Sequence, residues 1–223
     1  MEKTIVCFGD SNTYGYDTEK GGRFPKKIRW PGILAEKLGQ EWDVIEEGLG
    51  GRTCVFDDPI MESMNGLKDI RNSLMSHKTV DLLIVMLGTN DVKERFSATP
   101  ENVAKGLARL LEKAIQTNAW TRNVPKILVV CPPPISPIYR ERFLAEEMEK
   151  ECDIKSKRLS PLYQEIAVSL GLDFLDAGTL VHPCNGDGIH LDAEAHWILG
   201  TGIAKKVEEI FNQNDMKNGD TAL

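Results

Sequence analysis

Short apolar runs alternate along this chain with longer stretches of helical periodicity. Five runs are typical of β-strands: residues 4–8, 42–45, 82–87, 127–131 and 173–176. The third and fourth, LLIVML and ILVVC, are apolar at every position, as expected of strands that are covered on both faces. The pattern therefore predicts a buried, mainly parallel five-stranded sheet.

Helical patterns fill the intervals between these strands. Pro31 suits the first turn of a helix that stops before Gly39. Apolar residues recur at helical spacing within residues 101–117, 155–170 and 193–211. Strands that alternate with helices in this way predict an α/β fold, a three-layer α/β/α sandwich with helices on both faces of the sheet.

Length and composition are those of an ordinary globular protein. The chain has 223 residues, and we expect one domain over residues 1–212 and a flexible tail over residues 213–223. The formal net charge of −7 gives no reason to expect nucleic acid as a partner. No apolar run has the length of a membrane span, so we expect no membrane partner either.

Cysteine usage and the N-terminal residues both favour a cytoplasmic protein. The apolar run in MEKTIVCFGD is shorter than the core of a signal peptide. The five cysteines are scattered and form no CxxC pair, which indicates neither a disulfide framework nor a zinc site. We expect reduced thiols in the cytoplasm.

Loop segments follow the predicted strands at the ends where ligands bind in such folds. They are residues 9–12, 48–53, 88–91, 132–134 and 187–190. Loops at the carboxyl ends of parallel strands meet at one edge of the sheet. The five segments therefore predict a single site.

Ser11 and His190 are the candidates for nucleophilic chemistry in this site. A serine hydroxyl needs a base within hydrogen-bond reach, and the chain has four histidines. His77 and His196 fall in predicted helices, and His182 has no acid at useful spacing on its C-terminal side. Asp187 precedes His190 by three residues across a flexible glycine, so its carboxylate could orient the imidazole. The alternative is that Asp187 and His190 are only turn residues ahead of a helix that Asp192 caps.

Three hydrogen-bond donors could stabilise an oxyanion beside Ser11. They are the backbone N–H groups of Ser11 and Gly51 and the side-chain amide of Asn90. Taken alone, Gly51 and Asn90 are as well explained as turn residues.

The combination of these segments resembles the SGNH hydrolases, also called the GDSL esterase and lipase family. The matching blocks are GDSNTYG, GLGGRT, GTND and DGIH, in the order that the family has them. The resemblance implies a flavodoxin-like SGNH hydrolase fold and an esterase that needs no cofactor and no metal. It also implies a catalytic triad of Ser11, Asp187 and His190 and an oxyanion hole of Ser11, Gly51 and Asn90.

A closer likeness is to the bacterial arylesterase and acyltransferase branch, through segments such as MLGTND and PPP. This branch implies small acyl or aryl esters as substrates, acyl transfer to alcohols and a homo-oligomer. The chain departs from the family at Asn12, which replaces the leucine of GDSL, and at Tyr14 and Tyr16, where the branch commonly has tryptophans. We expect these three residues to shape the substrate pocket.

Two other classes of protein are compatible with the same segments. A metal-dependent phosphoesterase could use Asp10, Asn90, Asp91, Asp187 and His190 as hard ligands, although such sites usually draw on several histidines. A flavodoxin-like binding domain could hold a phosphate in the Ser11 loop, although that loop lacks the lysine of a P-loop.

Overall fold

The computed structural model describes residues 2–219, with side chains described from residue 2 to residue 212. The flexible tail expected over residues 213–223 lies outside these described side chains and stays a prediction. No helix among the described residues is both long enough and apolar enough to cross a membrane.

Five parallel strands form the central sheet, as the sequence predicts. They are β1 (Lys3–Gly9), β2 (Trp42–Gly48), β3 (Leu82–Met86), β4 (Ile127–Cys131) and β5 (Asp173–Asp176). Their order across the sheet is β2-β1-β3-β4-β5. In this flavodoxin-like order the direction in which successive strands are added reverses between β1 and β3, and ligands bind where loops leave the carboxyl ends of these two strands.

Helices cover both faces of the sheet and complete the α/β/α sandwich. They are α1 (Ser11–Tyr14), α2 (Trp30–Leu38), α3 (Gly66–Ser76), α4 (Pro100–Ile115), α5 (Ala145–Met148), α6 (Cys152–Ser156), α7 (Leu159–Ser169) and α8 (Ala193–Gly219). Helices α2 and α8 pack together on one face, and α4 packs with α3 and α7 on the other.

The continuous apolar runs are explained by the two cores that they separate. In β3, Leu83 and Val85 belong to the core beneath α3, α4 and α7, whereas Leu82, Ile84 and Met86 belong to the core beneath α2 and α8. Successive strand residues point to opposite faces, and both faces are buried here. A polar residue at any of these positions would therefore be buried.

The structure differs from the predicted helix over residues 155–170. The segment consists of two helices, α6 and α7, which meet near Arg158. Pro161 lies in the first turn of α7, where its missing N–H costs nothing, whereas one unbroken helix would set its ring against the carbonyl of Lys157. The preceding residues 132–151, which we did not assign, include a 3₁₀ turn at Pro137–Glu141 and α5.

Candidate active site

Ser11 is the first residue of α1 and follows β1 after a single turn. The Asp10 side chain caps this helix, because its Oδ1 accepts the N–H of Asn12 at 2.9 Å. Gly9 has no room for a side chain, since a Cβ there would lie 2.0 Å from Thr13 Oγ1. The strand ends abruptly because this turn lifts Ser11 to the carboxyl edge of the sheet.

The structure brings Ser11, His190 and Asp187 into one chain of hydrogen bonds. Ser11 Oγ lies 2.8 Å from His190 Nε2, and Asp187 Oδ2 lies 2.6 Å from His190 Nδ1. The other Asp187 oxygen accepts the N–H groups of Ile189 and His190 at 2.8 and 2.9 Å. Gly188 supplies the turn between them at a φ of +76°.

The environment of Asp187 keeps this carboxylate ionised. Burial opposes the charge, but the hydrogen bond and the charge of His190 outweigh it and lower the pKa of Asp187 below its ordinary value. Asp187 has no exposed surface. A buried, ionised carboxylate at this position fixes the orientation of the imidazole.

Gly51 and Asn90 line the same cleft as Ser11 and His190. Asn90 Nδ2 donates one hydrogen bond to the carbonyl of Arg52 at 3.2 Å, which leaves the second N–H of the amide for another acceptor. Arg52 Nη1 in turn donates to the carbonyl of Gly9 at 3.0 Å and to that of Glu47. These bonds join the loops that follow β1, β2 and β3.

Two buried carboxyl groups support these loops from behind. Asp91 Oδ1 accepts the N–H of Cys54 at 2.8 Å. Burial, with a further contribution from the charge of Asp10, raises the pKa of Asp91 to about 7. Burial likewise raises the pKa of Asp10. Each side chain holds its loop through a hydrogen bond to a backbone N–H, that of Asn12 for Asp10 and that of Cys54 for Asp91.

Of the three residues expected to shape the pocket, the structure places only Tyr16 in the cleft. Its ring centroid lies 4.8 Å from that of His190. Asn12 instead is buried, donating from Nδ2 to the carbonyl of Ile189 at 3.2 Å and accepting the N–H of Leu191 at 3.0 Å. Tyr14 lies outside the cleft lining, with the Arg23 guanidinium 4.5 Å from its ring centroid.

The cleft itself is a cavity of about 280 Å³. Its other walls are four apolar side chains and one ion pair: Met61, Leu144, Met148, Ile189 and the pair Lys93–Glu147. Sequence reasoning assigned none of these residues a role in the pocket walls, although Ile189 lies in a segment that it placed at the site. Ile189 lies inside the DGIH block and Lys93 two residues after GTND, whereas the other residues belong to no motif.

Two of the other three histidines, His196 and His77, are hydrogen-bonded within the scaffold and lie outside the cleft lining. His196 is buried and its Nδ1 accepts the N–H of Trp30 at 3.3 Å, while His77 lies 2.7 Å from Glu47. Burial, then the charges of His190 and Arg29, lower the pKa of His196 to about 3. Among the described residues, no group of three or more His, Cys, Asp or Glu side chains is arranged to hold a metal ion.

The model of the GDSL-like lipase/acylhydrolase family matches residues 7–198. The chain therefore belongs to this family, and it is a carboxylic ester hydrolase with the SGNH hydrolase fold. Membership of the family implies small-molecule esters as substrates. No match to a curated protein sequence is found.

Bacterial esterases are among the most similar solved structures. Est24, a carbohydrate acetylesterase from Sinorhizobium meliloti, is 38% identical, with a TM-score of 0.87 over 94% of this chain and 100% of its own. The aryl esterase of M. smegmatis is 36% identical, with a TM-score of 0.86 over 93% of this chain and 99% of its own. A lipase/acylhydrolase from Enterococcus faecalis, at 19% identity and a TM-score of 0.67 over 93% of this chain and 96% of its own, shares the fold.

Proposed function

We propose that this chain is a serine esterase that hydrolyses small acyl or aryl esters through an acyl-enzyme on Ser11. The observation that carries the proposal is the hydrogen-bonded chain from Ser11 Oγ through His190 to Asp187, with distances of 2.8 and 2.6 Å. This arrangement has the geometry of a Ser-His-Asp triad, which is recognised by geometry and not by sequence position.

Acylation begins with proton transfer from Ser11 to His190. Asp187 accepts the Nδ1–H of the imidazole, so Nε2 is free to accept the Ser11 proton as Oγ attacks the ester carbonyl. The imidazolium that forms is stabilised by the ionised Asp187. The proton then passes from Nε2 to the leaving alcohol as the tetrahedral intermediate collapses.

The negative charge on the carbonyl oxygen is stabilised by the donors around Ser11. We assign this role to the N–H groups of Ser11 and Gly51 and to the side-chain N–H of Asn90 that Arg52 does not accept. The hydrogen bonds between the three loops hold these donors in place before the reaction, which is the condition for effective electrostatic stabilisation.

Water completes the cycle by attacking the acyl-enzyme, with His190 again as the base. An alcohol can take the place of water, and the product is then a new ester. The apolar walls formed by Met61, Leu144, Met148 and Ile189 support this second reaction, because they favour an organic acceptor over water. Acyl transfer is therefore part of the proposal.

The size of the cleft supports small substrates. A cavity of about 280 Å³ lies at the lower end of the range for ligand pockets. The name of the related acetylesterase agrees with a short acyl group, and that of the aryl esterase agrees with an aryl ester. The proposal also includes a cytoplasmic location, which the five free cysteines support. It further includes a homo-oligomer, which the family resemblance supports and which light scattering would test.

The test is a panel of p-nitrophenyl and alkyl esters of increasing acyl length, assayed with and without 1-propanol as acceptor. We expect the highest kcat/KM for acetyl esters and the formation of propyl esters when the alcohol is present. Loss of activity with a chelator, and not with a serine-directed phosphonate, would contradict the proposal and favour a metal-dependent phosphoesterase.

A further inference from the structure

An ion pair between the buried Lys93 and the partly exposed Glu147 forms part of a cleft wall that is otherwise mainly apolar. Lys93 Nζ lies 2.6 Å from Glu147 Oε1, and both side chains line the cavity that contains Ser11. Lys93 belongs to the same loop as the oxyanion donor Asn90, and its N–H donates to the carbonyl of Asn90 at 3.2 Å. The pair therefore lines the same cleft as Ser11 and His190 and does not belong to a remote surface.

The burial of Lys93 makes this arrangement costly. Only 3% of its side chain is exposed, and a buried ammonium destabilises the fold unless its charge is neutralised and its donors are used. An ammonium has three N–H donors, and Glu147 is the hydrogen-bond acceptor of Lys93 Nζ in the described part of the chain. Lys93 lines the cleft, so we expect an N–H that Glu147 does not use to donate to a substrate group there.

Glu147 is held in place from its other side. Arg95 Nη2 donates to Glu147 Oε2 at 3.1 Å and to the Glu147 carbonyl at 2.7 Å. Burial works against the charge of Glu147, but Lys93 and Arg95 outweigh it and lower its pKa. The cleft wall thus presents a fixed carboxylate acceptor next to a fixed ammonium donor.

This donor and acceptor match one class of alcohol. A hydroxyl group both donates and accepts, so two neighbouring hydroxyls can bond to Lys93 and Glu147 together. An anionic group would meet the Glu147 carboxylate, and an unsubstituted alkyl or aryl group would leave the pair without polar partners. We propose that the Lys93–Glu147 pair binds hydroxyl groups on the alcohol part of the substrate and selects esters of polyhydroxylated alcohols. This inference rests on the proposed function.

Two esters that differ only in hydroxyl groups test the proposal. Glyceryl monoacetate and propyl acetate share the acetyl group and a three-carbon alcohol. We expect the ratio of their kcat/KM values to fall at least about tenfold in Lys93→Met, the size of one charge-assisted hydrogen bond, mainly through KM for the glyceryl ester. The matched control is Lys155→Met, which removes an ion pair with Glu94 outside the cleft and should leave the ratio unchanged.

Glu147→Gln provides a second variant if Lys93→Met does not fold, as judged by circular dichroism. It keeps an oxygen acceptor but removes the charge, so we expect a smaller fall in the ratio. An unchanged ratio in the folded variants would overturn the proposal, as would losses confined to an anionic ester such as monopropyl succinate. Neither result would bear on the role of Ser11, because the variants would still turn over acetate esters through it.

Discussion

Asn12 connects the loop that carries Ser11 to the loop that carries His190. Its side-chain amide makes two hydrogen bonds to the backbone, one to the residue before His190 and one to the residue after it. Its Nδ2 donates to the carbonyl of Ile189 and its Oδ1 accepts the N–H of Leu191. The sequence places these loops 179 residues apart. Asn12, at the position where GDSL has leucine, thus joins these two loops, and we propose that it positions His190 relative to Ser11.

Asn12→Leu should destabilise the protein and slow the reaction. The substitution leaves the Ile189 carbonyl and the Leu191 N–H buried without this partner, at a cost of about 1–3 kcal/mol for each group. Urea unfolding would measure the change in the free energy of unfolding, and we expect kcat to fall more than KM rises. The control Asn102→Leu, at an exposed position of α4, should change stability by less than about 0.5 kcal/mol. Equal stability of Asn12→Leu and wild type would contradict this role.

Asp187→Asn should preserve the fold and reduce kcat by about 10³–10⁴-fold. The Asn oxygen can still accept the N–H groups of Ile189 and His190, which Asp187 Oδ1 accepts now. The Asn amide, however, would donate to His190 Nδ1, so the imidazole proton would lie on Nε2. Nε2 could then not accept the proton of the Ser11 hydroxyl. Steady-state kinetics with p-nitrophenyl acetate would measure the loss, and circular dichroism would confirm the fold. A loss below tenfold would show that Asp187 does not set the tautomer.

Asn90→Ala should reduce kcat by about 10²–10³-fold, as expected for the loss of one oxyanion donor. The bond from Asn90 Nδ2 to the Arg52 carbonyl is lost as well, so the thermal midpoint must be measured alongside the kinetics. Asn102→Ala removes an amide at an exposed position of α4 and should leave kcat unchanged, so the fall in kcat can be assigned to Asn90 itself. A variant that raised KM while kcat stayed constant would assign Asn90 to substrate binding.

Asp91→Asn should make stability less dependent on pH. The pKa of Asp91 is about 7 in the folded protein against an ordinary value of 3.8, so the folded state binds the proton more tightly. Its contribution is present at low pH and is lost as pH rises through this window, at up to about 1.4 kcal/mol per pH unit. The stability of Asp91→Asn relative to wild type should therefore rise between about pH 4 and 7 and level off above. Parallel curves for the two proteins would contradict the raised pKa of Asp91.

The sequence predicts the fold well where the signal is local or repeated. The strands β3 and β4 are predicted correctly because both faces of the sheet are covered and the two runs are therefore apolar throughout. Their observed bounds differ from the predicted ones by at most one residue. The break between α6 and α7 was missed because the apolar periodicity continues through it, although Pro161 marks it. The pairing of Asp187 with His190 could be predicted because one short turn carries both residues, and their side chains lie 2.6 Å apart.

The walls of the cleft could not be predicted in the same way. Leu144, Glu147 and Met148 lie in and beside a one-turn helix that has no motif, and only tertiary packing brings them over Ser11. The role of Asn12 was misjudged for a related reason. A residue next to a nucleophile can face the substrate or the supporting backbone, and the choice depends on a loop that is distant in sequence.

The most direct test of the central claim is mass spectrometry of the enzyme quenched in acid during turnover of p-nitrophenyl acetate. We predict one added acetyl group on the peptide that contains Ser11, and neither the adduct nor turnover above background in Ser11→Ala. Turnover by Ser11→Ala at the wild-type rate, or an acetyl group found only at another residue, would contradict the assignment of Ser11 as the nucleophile.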